Sequence, residues 1–580
     1  MGSILSTAVL ALAGAAAFAQ APIITAVVDA AGYTPNLAAG SVFIVEGTDL
    51  CGPDATATTP YGAGPIGGAT IQLTPVAGGT PLNAYMIYCF DTSGATQLAA
   101  EVPSNAAPGD YNVTVTFSGI TAPFKTTVVA QKFQLMTQSG TGSGRALVQN
   151  VVSTTQYDLN GFSNGAVADA SYFRSPAKPS AFLIAWGTGL GAAAAFDAEP
   201  PATLDFLAQG LDVKVVVGGV EVSPVYAGRS NVFPGLDNIV FQLPANVPAG
   251  CSVPLEVRIA GQLSNLTTIA IASNGNADAC DSQFTPDALA RLDAGGTVTA
   301  GFFNLTGFVT NLTVQGQSLA VRVEGATGTF ARFDADTLTE LPNFSTAAIG
   351  TCQVYQTPTT SASVGLLVSS GVKLLDAGNI ALNGPNASNR ALAETNNVYA
   401  LSLGTALAIS GLPPMPGFNS SPLITQGSYT LSGTGGTDVG PFSVSVTVNP
   451  PLKITGGLPL IVNRNQDLNL SWTGGGAGLV LIAGSASALT SGTVDNGTFN
   501  TGSFLCVTAA DQQSFTVRSS LLLQLPATPA GAGVGTLAAY TMSAPARTNG
   551  LFGVPLTAGG TTDFALFTAG IGESSAAVYH

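Results

Sequence analysis

The tetrapeptide GTDL at Gly47–Leu50 recurs as GTGL at Gly187–Leu190, about 140 residues further along the chain. The same spacing links two further pairs of strings: Gly78-Gly79 with Gly218-Gly219, and Val102–Asn105 closed by Gly109 with Leu243–Asn246 closed by Gly250. Nearly all the matched residues are turn formers, and β-like segments lie between them. A repeat of turns and strands predicts a duplicated structural module, and it identifies neither a ligand nor a reaction.

The segments between these turns have the patterns of short strands. Tyr111–Phe117 alternates strictly between apolar and polar residues, which is typical of a half-buried antiparallel strand. Ala181–Trp186 is predicted to be another strand, and further short strands follow at even spacing up to Ile271. Such spacing favours immunoglobulin-like β-sandwiches. One short helix is predicted around Pro286–Leu292, and Trp472 is predicted to be a core residue.

The predicted fold is therefore all-β, with tandem immunoglobulin-like β-sandwich domains in an elongated multidomain arrangement. Four sandwiches are expected after a signal peptide. The predicted bounds are a signal peptide at 1–19, a first sandwich at 22–131, a second at 132–276, a third at 282–450 and a fourth at 451–580.

Composition points to export and away from nucleic acid. Only 8% of the 580 residues are charged, against roughly 25% in an average soluble protein. With 17 basic residues and a net charge of −15, the chain shows no basic patch for phosphates. Ile4–Phe18 is small and apolar, and Ala17–Ala19 predicts cleavage by a signal peptidase. We expect a secreted or cell-surface protein without a membrane span after cleavage, since no second apolar run of about 18 residues occurs.

The six cysteines suit an oxidising compartment. Neighbours in the sequence suggest the pairs Cys51–Cys89 and Cys251–Cys280, each inside one repeat, and Cys352–Cys506 follows by elimination. Each bridge would stabilise the fold by about 2–4 kcal/mol. The alternative is that Cys352 and Cys506 are buried free thiols.

Several longer strings resemble a family of uncharacterised secreted acidobacterial proteins with domains similar to the IPT/TIG immunoglobulin-like fold. The strings are Ile24–Tyr33 followed by Ala39–Ser41, Trp186–Gly191, Phe233–Asp237 and Gln242–Cys251. They cover roughly residues 22–281, and Gly433–Phe442 is similar to a partner region of such proteins, more loosely. The resemblance implies a β-sandwich fold and export, and the family supplies no catalytic residues to carry over.

Three local patterns of enzymes are weak here. The sole histidine is His580, where we expect a frayed end, whereas a serine or cysteine triad needs a positioned imidazole. Gly161–Gly165 matches G-x-S-x-G but lacks the flanking strand and helix of a nucleophile elbow. Ser175–Lys178 matches S-x-x-K, but Pro176 disfavours the required helix. We therefore predict no catalytic residues and no enzyme activity.

Metal and cofactor sites have little support in the sequence. Asp334 and Asp336 share one face of a strand pattern and are candidates for calcium, but no third acidic residue follows at calcium-loop spacing. No C-x-x-C string and no nucleotide-binding loop occurs, so no cofactor is predicted.

Three hypotheses of function remain. The first is an exported, non-catalytic interaction or structural protein of the cell-surface or matrix-adhesion type, whose partner is a protein or a glycan. The second is an accessory protein that binds or degrades polysaccharides, and the third is self-association into filaments through exposed strand edges. The segments that differ between the two repeats, the Cys51–Cys89 loop and Phe133–Pro179, are where we expect a specific binding surface.

Overall fold

The computed structural model describes residues 22–92, 95–166, 173–204, 210–282, 284–314, 317–335, 349–360, 372–409, 424–491, 498–528, 533–543 and 550–580. The predicted signal peptide at residues 1–19 lies outside these ranges. The described residues form two compact units. The first unit takes the residues up to Lys132 together with those of Thr188–Leu207 and Gly228–Asp237, and the second takes the rest.

The first repeat folds into a sandwich of two five-stranded sheets. Its strands are β1 (Ile23–Asp29), β2 (Leu37–Ala38), β3 (Val42–Thr48), β4 (Ala55–Thr56), β5 (Thr70–Pro75), β6 (Leu82–Asn83), β7 (Tyr85–Thr92), β8 (Ala95–Glu101), β9 (Gly109–Thr116) and β10 (Phe124–Val129). One sheet has the order β1-β3-β8-β7-β4 and the other β2-β10-β9-β5-β6. Apolar side chains from both sheets, including Phe43, Leu98 and Val113, share one buried core. The predicted alternation of Tyr111–Phe117 is confirmed in β9, where Tyr111, Val113 and Val115 are buried.

The second repeat also forms two sheets. Its strands are β11 (Gln134–Leu135), β12 (Val148–Val151), β13 (Tyr157–Asn160), β14 (Gly165–Ala166), β15 (Phe173–Ser175), β16 (Phe182–Thr188), β17 (Val213–Val217), β18 (Val220–Val222), β19 (Tyr226–Arg229), β20 (Asp237–Gln242), β21 (Gly250–Ile259), β22 (Gln262–Leu263) and β23 (Thr267–Ile271). The first sheet has the order β14-β15-β13-β12-β16-β20-β19, with β11 also paired to β16. The second has the order β18-β17-β21-β22, with β23 also paired to β21.

The two repeats share one topology, which explains the spacing in the sequence. The order β1-β3-β8-β7 of the first repeat corresponds to β12-β16-β20-β19 of the second. The matched Gly78-Gly79 and Gly218-Gly219 pairs join β5 to β6 and β17 to β18, and all four glycines have positive φ. A side chain would be strained there, so the turn demands glycine in both repeats.

The segments that differ between the repeats extend this shared sheet. In the first repeat the chain between Cys51 and Cys89 supplies β4, which lies beside β7 at one edge. In the second repeat the segment Phe133–Pro179 supplies β13, β15 and β14, which continue from β12 at the opposite edge. Each repeat therefore extends the shared sheet with additional strands that the other repeat lacks.

The remaining chain is also β-structure. Its strands are β24 (Val298–Val314), β25 (Gln317–Phe333), β26 (Thr351–Thr360), β27 (Lys373–Leu375), β28 (Ile380–Gly384), β29 (Ala387–Ala391), β30 (Ala393–Thr395), β31 (Val398–Ile409), β32 (Gly427–Gly433), β33 (Phe442–Val448), β34 (Leu452–Ile454), β35 (Ile461–Val462), β36 (Leu468–Gly474), β37 (Leu479–Ser491), β38 (Thr498–Ala509), β39 (Ser514–Val517), β40 (Gly533–Met542), β41 (Phe564–Ala576) and β42 (Val578–Tyr579). The largest sheet has the order β26-β38-β37-β40-β41-β24-β25-β31-β30, with β27 on β25. Smaller sheets have the orders β29-β28-β32-β33, β34-β36-β39 and β35-β42.

The largest sheet combines strands from both sides of Pro450-Pro451. Strand β41 pairs with β40 and, in parallel, with β24, which lies more than 250 residues earlier in the chain. The predicted bounds 282–450 and 451–580 therefore do not separate two sheets, and the domain bounds as such stay a prediction. Trp472, predicted to be a core residue, is buried, and its indole N–H donates to the Ala510 carbonyl at 3.0 Å.

The predicted helix is present as α1 (Pro286–Asp293). The Thr285 hydroxyl accepts a hydrogen bond from the Ala288 N–H, and Pro286 occupies the first turn, where no N–H is needed. The short helix α2 (Ser519–Leu522) and the 3₁₀ turns at Ala194–Phe196 and Ala510–Gln512 were not expected from the sequence. No helix among the described residues is long and apolar enough to cross a membrane.

All three predicted cysteine pairs are disulfides in the structure. Cys51–Cys89 and Cys251–Cys280 each close a segment within one repeat. Cys352 and Cys506 lie opposite each other on β26 and β38, so their bridge joins two adjacent strands. The alternative of two free thiols is therefore excluded for this structure.

Candidate functional site

The predicted G-x-S-x-G string has a structural role. The N–H and hydroxyl of Ser163 both contact the Asp293 carboxylate at the end of α1, at 2.9 and 3.3 Å. The same carboxylate pairs with Arg145 at 3.2 Å, and burial raises the pKa of Asp293 while the Ser163 N–H and Arg145 oppose the rise. Ser163 therefore anchors its segment to the helix. The side chain of His580 is exposed, and its backbone is not frayed, since its N–H donates to the Val462 carbonyl at 3.0 Å.

The S-x-x-K string is likewise part of the scaffold. The Ser175 hydroxyl donates to Asp158 at 2.9 Å and accepts from the Asn150 amide at 3.1 Å. These buried side chains tie β12, β13 and β15 together. Of the calcium candidates, Asp334 is half-buried after β25, and Asp336 lies outside the described residues. In the part of the chain that the structure describes, no group of three histidine, cysteine, aspartate or glutamate side chains is arranged to hold a metal ion.

A cluster of charged side chains lies against several of the strings singled out in the sequence: Glu101, Arg229 and Asp237 are buried, and Asp197 beside them is half-buried. We call it the buried ion-pair cluster. The Arg229 guanidinium pairs with the Asp237 carboxylate, and both side chains are almost fully buried. Arg229 also donates to the carbonyls of Gly40 and Gly191 at 2.7 and 2.9 Å. The Leu190 N–H donates to Asp237 at 2.8 Å. Both glycines and Leu190 belong to strings singled out in the sequence, and here they hold the fold together.

Glu101 lies fully buried beside this pair. One carboxyl oxygen accepts from the Ala198 N–H at 3.0 Å, and the other has no hydrogen-bond partner among the described residues. Burial raises the pKa of Glu101 to about 8, and the nearby Asp197 and Asp237 add to the rise. At neutral pH the carboxyl is therefore mainly protonated, and the carboxylate that pairs with Arg229 is that of Asp237.

A different group of side chains shares an outward face of the first repeat: Glu46, Tyr88, Phe90 and Gln97. We call this group the aromatic platform. Phe90, Gln97 and Glu46 lie directly opposite one another on β7, β8 and β3, so their side chains share one face of the sheet. The rings of Tyr88 and Phe90 stack with centroids 4.4 Å apart, and Phe90 is 41% exposed.

Hydrogen bonds connect the polar members of the platform. The Tyr88 hydroxyl donates to the Gln97 amide oxygen at 2.9 Å, and the amide nitrogen of Gln97 faces the Glu46 carboxylate at 3.5 Å. Burial raises the pKa of Tyr88 to about 12, with Tyr33 and Glu46 adding to the effect. Both phenols therefore stay protonated at neutral pH and can donate hydrogen bonds.

The Cys51–Cys89 disulfide fixes the strand that carries the aromatic pair. Cys89 lies between Tyr88 and Phe90 and is fully buried in the core of the sandwich. Because successive residues of a strand face opposite sides, an anchored Cys89 directs Tyr88 and Phe90 outward. The Cys51–Cys89 bridge therefore fixes the strand that presents Tyr88 and Phe90.

The corresponding sheet of the second repeat also has an outward aromatic surface. Phe182, Val151 and Tyr157 lie opposite one another on β16, β12 and β13. On the same face the Trp186 indole donates to the Gln149 amide oxygen at 3.0 Å. Phe182 and Tyr157 are exposed, so this surface, which we call the aromatic row, is open to solvent on its unit.

The sequence pointed to the Cys51–Cys89 loop and to Phe133–Pro179 but did not identify the residues of either surface, and it gave no prediction of the buried ion-pair cluster. A usable signal was present for the cluster, because Arg229 precedes the Phe233–Asp237 string and Asp237 ends it, in a chain with few charges. For the platform the signal was only the position of Tyr88 and Phe90 around Cys89.

No known protein family matches the chain, and no curated protein matches it. Among solved structures, the chain is similar to the complex of Dpr2 Ig1-Ig2 with DIP-Theta Ig1-Ig3 at 7% identity, with 73% of this chain and 98% of that chain covered and a TM-score of 0.12. It is similar to chicken CNTN1 FN1-FN3 domains at 9% identity, with 73% and 97% covered and a TM-score of 0.12. It is also similar to Bacteroides ovatus SGBP-B in complex with a mixed-linkage heptasaccharide at 10% identity, with 78% and 86% covered and a TM-score of 0.11. TM-scores and identities as low as these indicate nothing about function. The sandwich fold is shown by the pairing of the sheets themselves.

Proposed function

We propose that the protein is an exported, non-catalytic interaction protein of the cell-surface or matrix-adhesion type, and that the aromatic platform is its contact surface. The observation that carries the proposal is the outward pair of Tyr88 and Phe90 beside Gln97 and Glu46. Large aromatic side chains with adjacent hydrogen-bonding groups are the usual anchors of protein interfaces.

Two further features support this proposal. The platform lies on strands whose topology both repeats share, but the Cys51–Cys89 bridge and β4, which fix its strand β7, occur only in the first repeat. Export is supported by the predicted signal peptide, by the three disulfides and by the resemblance to secreted acidobacterial proteins.

Polysaccharide binding is the second candidate function. Stacked aromatic rings offer a flat apolar surface to the C–H face of a sugar ring, and the Gln97 amide and Glu46 carboxylate could bind its hydroxyls. The negative net charge of the chain favours a neutral glycan over an acidic one. Self-association stays a third proposal.

The platform can be tested with Phe90→Ala and Gln97→Ala. We expect each variant to weaken binding roughly 30-fold or more, because an interface anchor contributes about 2 kcal/mol or more. Binding would be measured on immobilised neutral polysaccharides, acidic polysaccharides, matrix proteins and fixed bacterial cells. Ile120→Ala, at an exposed apolar residue of the same repeat, is the matched control and should bind like the wild type.

The same assay separates the candidates. Binding to proteins or cells that Phe90→Ala abolishes supports the adhesion proposal, and binding to neutral polysaccharides supports the second candidate. Binding that Phe90→Ala and Ile120→Ala weaken equally would show that the platform is not the contact surface.

A further inference from the structure

The ammonium group of Lys132 lies inside a shell of oxygen atoms in the first unit. Its Nζ is 2.8 Å from the Asp29 carboxylate and 2.6 Å from the Thr34 hydroxyl. It is also 3.1, 2.7 and 3.0 Å from the carbonyl oxygens of Thr34, Pro35 and Asn36. Five oxygens around one nitrogen form a binding shell, which is more than a surface ion pair offers.

The loop builds this shell around its own carboxylate. Asp29 accepts hydrogen bonds from the N–H groups of Ala31, Gly32 and Thr34, and from the Thr34 hydroxyl. Burial alone would raise the pKa of Asp29, but Lys132 and these donors outweigh burial and hold the pKa below its usual value. The carboxylate is therefore ionised and fixed in position, and only 3% of the side chain is exposed.

The dimensions of the shell fit an ammonium group better than a metal ion. Distances of 2.6–3.1 Å are those of N–H···O hydrogen bonds to charged groups. Calcium requires oxygens at about 2.3–2.6 Å and magnesium at about 2.0–2.1 Å. A primary ammonium carries three N–H donors, which five oxygens can share.

We infer that residues 29–36 form a binding site for a primary ammonium group, that the chain fills this site with Lys132, and that its occupation fixes the backbone at Tyr33. Tyr33 lies between two residues whose N–H groups bind Asp29, and its own N–H donates to the Asp29 carbonyl at 3.2 Å. Its left-handed backbone, with φ of 54°, is held by this network. The ammonium site itself does not depend on the proposed function.

Chemical rescue tests the inference on the full chain. Lys132→Ala removes the ammonium, and the added probe is ethylammonium chloride, with tetramethylammonium chloride and sodium chloride at equal ionic strength as comparisons. We expect Lys132→Ala to lower the thermal midpoint by several degrees and ethylammonium alone to restore at least half of the loss. Lys125→Ala, at an exposed lysine of β10, is the matched control and should match the wild type in every salt.

Hydrogen exchange of the peptide that covers residues 29–36 gives a second measurement. The amides of Ala31, Gly32 and Thr34 should exchange at least tenfold faster in Lys132→Ala and slow again with ethylammonium. An unchanged midpoint and exchange rate, or equal rescue by tetramethylammonium, would overturn the inference. If Lys132→Ala does not fold, refolding yields with the same salts make the same distinction.

Discussion

Replacing Arg229 by methionine should lower the free energy of unfolding of the first unit by about 3–5 kcal/mol, the cost of leaving a buried carboxylate without its partner. Asp237 is fully buried and would keep only its backbone donors, among them the Leu190 N–H. Arg229→Met would also free the carbonyls of Gly40 and Gly191, which now accept from the guanidinium. Urea unfolding combined with hydrogen exchange of peptides from the first unit would measure the loss.

Two further variants show whether the effect comes from the buried charge. Arg258→Met removes a partly exposed pair with Glu221, which should contribute about 0–1 kcal/mol. Adding Asp237→Asn to Arg229→Met removes the uncompensated carboxylate, so the double variant should recover part of the lost stability. If Arg229→Met costs the first unit no more stability than Arg258→Met costs the second unit, the buried ion pair does not stabilise the first unit.

The sequence predicts local structure here because each local feature has a local cause. The strict alternation of Tyr111–Phe117 determines its buried face, and Thr285 followed by Pro286 determines where α1 begins. The three cysteine pairs could be assigned because two of the pairs join cysteines that follow each other in the sequence, which leaves only Cys352 and Cys506 for the third.

The pairing of the largest sheet could not be predicted in this way. An alternating pattern identifies a strand and its buried face but not its neighbour. The parallel contact of β24 with β41 joins segments separated by most of the second half of the chain. Pro450-Pro451 stiffens the chain and favours a boundary there in the local sequence, but the largest sheet contains strands from both sides of it.

The aromatic platform could not be predicted from the sequence, because β7, the strand that carries Tyr88 and Phe90, has apolar side chains on both faces. Tyr85–Phe90 contains no polar residue other than the tyrosine hydroxyls, so alternation gives no outward side. A bulge between Met86 and Tyr88 also shifts the register by one residue. Only the disulfide at Cys89 marks the inward side, and only the fold brings Gln97 and Glu46 beside the two rings.

Replacing Glu101 by glutamine should stabilise the first unit at pH 8 and change little at pH 4. The pKa of Glu101 is about 8 in the folded protein, whereas a glutamate of the unfolded chain titrates near its ordinary value of about 4.3. Between these values the folded state holds a proton that the unfolded state has released. The contribution of protonated Glu101 to the free energy of unfolding is therefore fully present below about pH 4.3. It falls as the pH rises and is lost above the pKa of Glu101 in the folded protein.

The side-chain amide of Glu101→Gln keeps the shape of the protonated carboxyl and cannot ionise. The variant should therefore not lose stability as the pH rises from 4 to 8. Each pH unit within the window corresponds to about 1.4 kcal/mol for one group, so the gain at pH 8 is on the order of 3–5 kcal/mol. Glu256, fully surrounded in β21 of the second unit, also has a pKa raised by burial to about 8. Glu256→Gln should therefore give the same profile in peptides of the second unit.

Hydrogen exchange at pH 4, 6 and 8 would follow the two units separately, with Glu199→Gln, at an exposed glutamate, as the control. Asp29 affects stability in the opposite direction, because its pKa is lowered in the folded protein. The stability that the Asp29 carboxylate contributes is lost only as the pH falls below about 3.9, the ordinary pKa of an aspartate. The contribution of Asp29 to stability is thus constant between pH 4 and pH 8, and it does not mask the decrease in stability with pH that Glu101 produces. A wild-type first unit equally stable at pH 4 and pH 8 would contradict a protonated Glu101, and it would mean that Arg229 neutralises more than the Asp237 carboxylate.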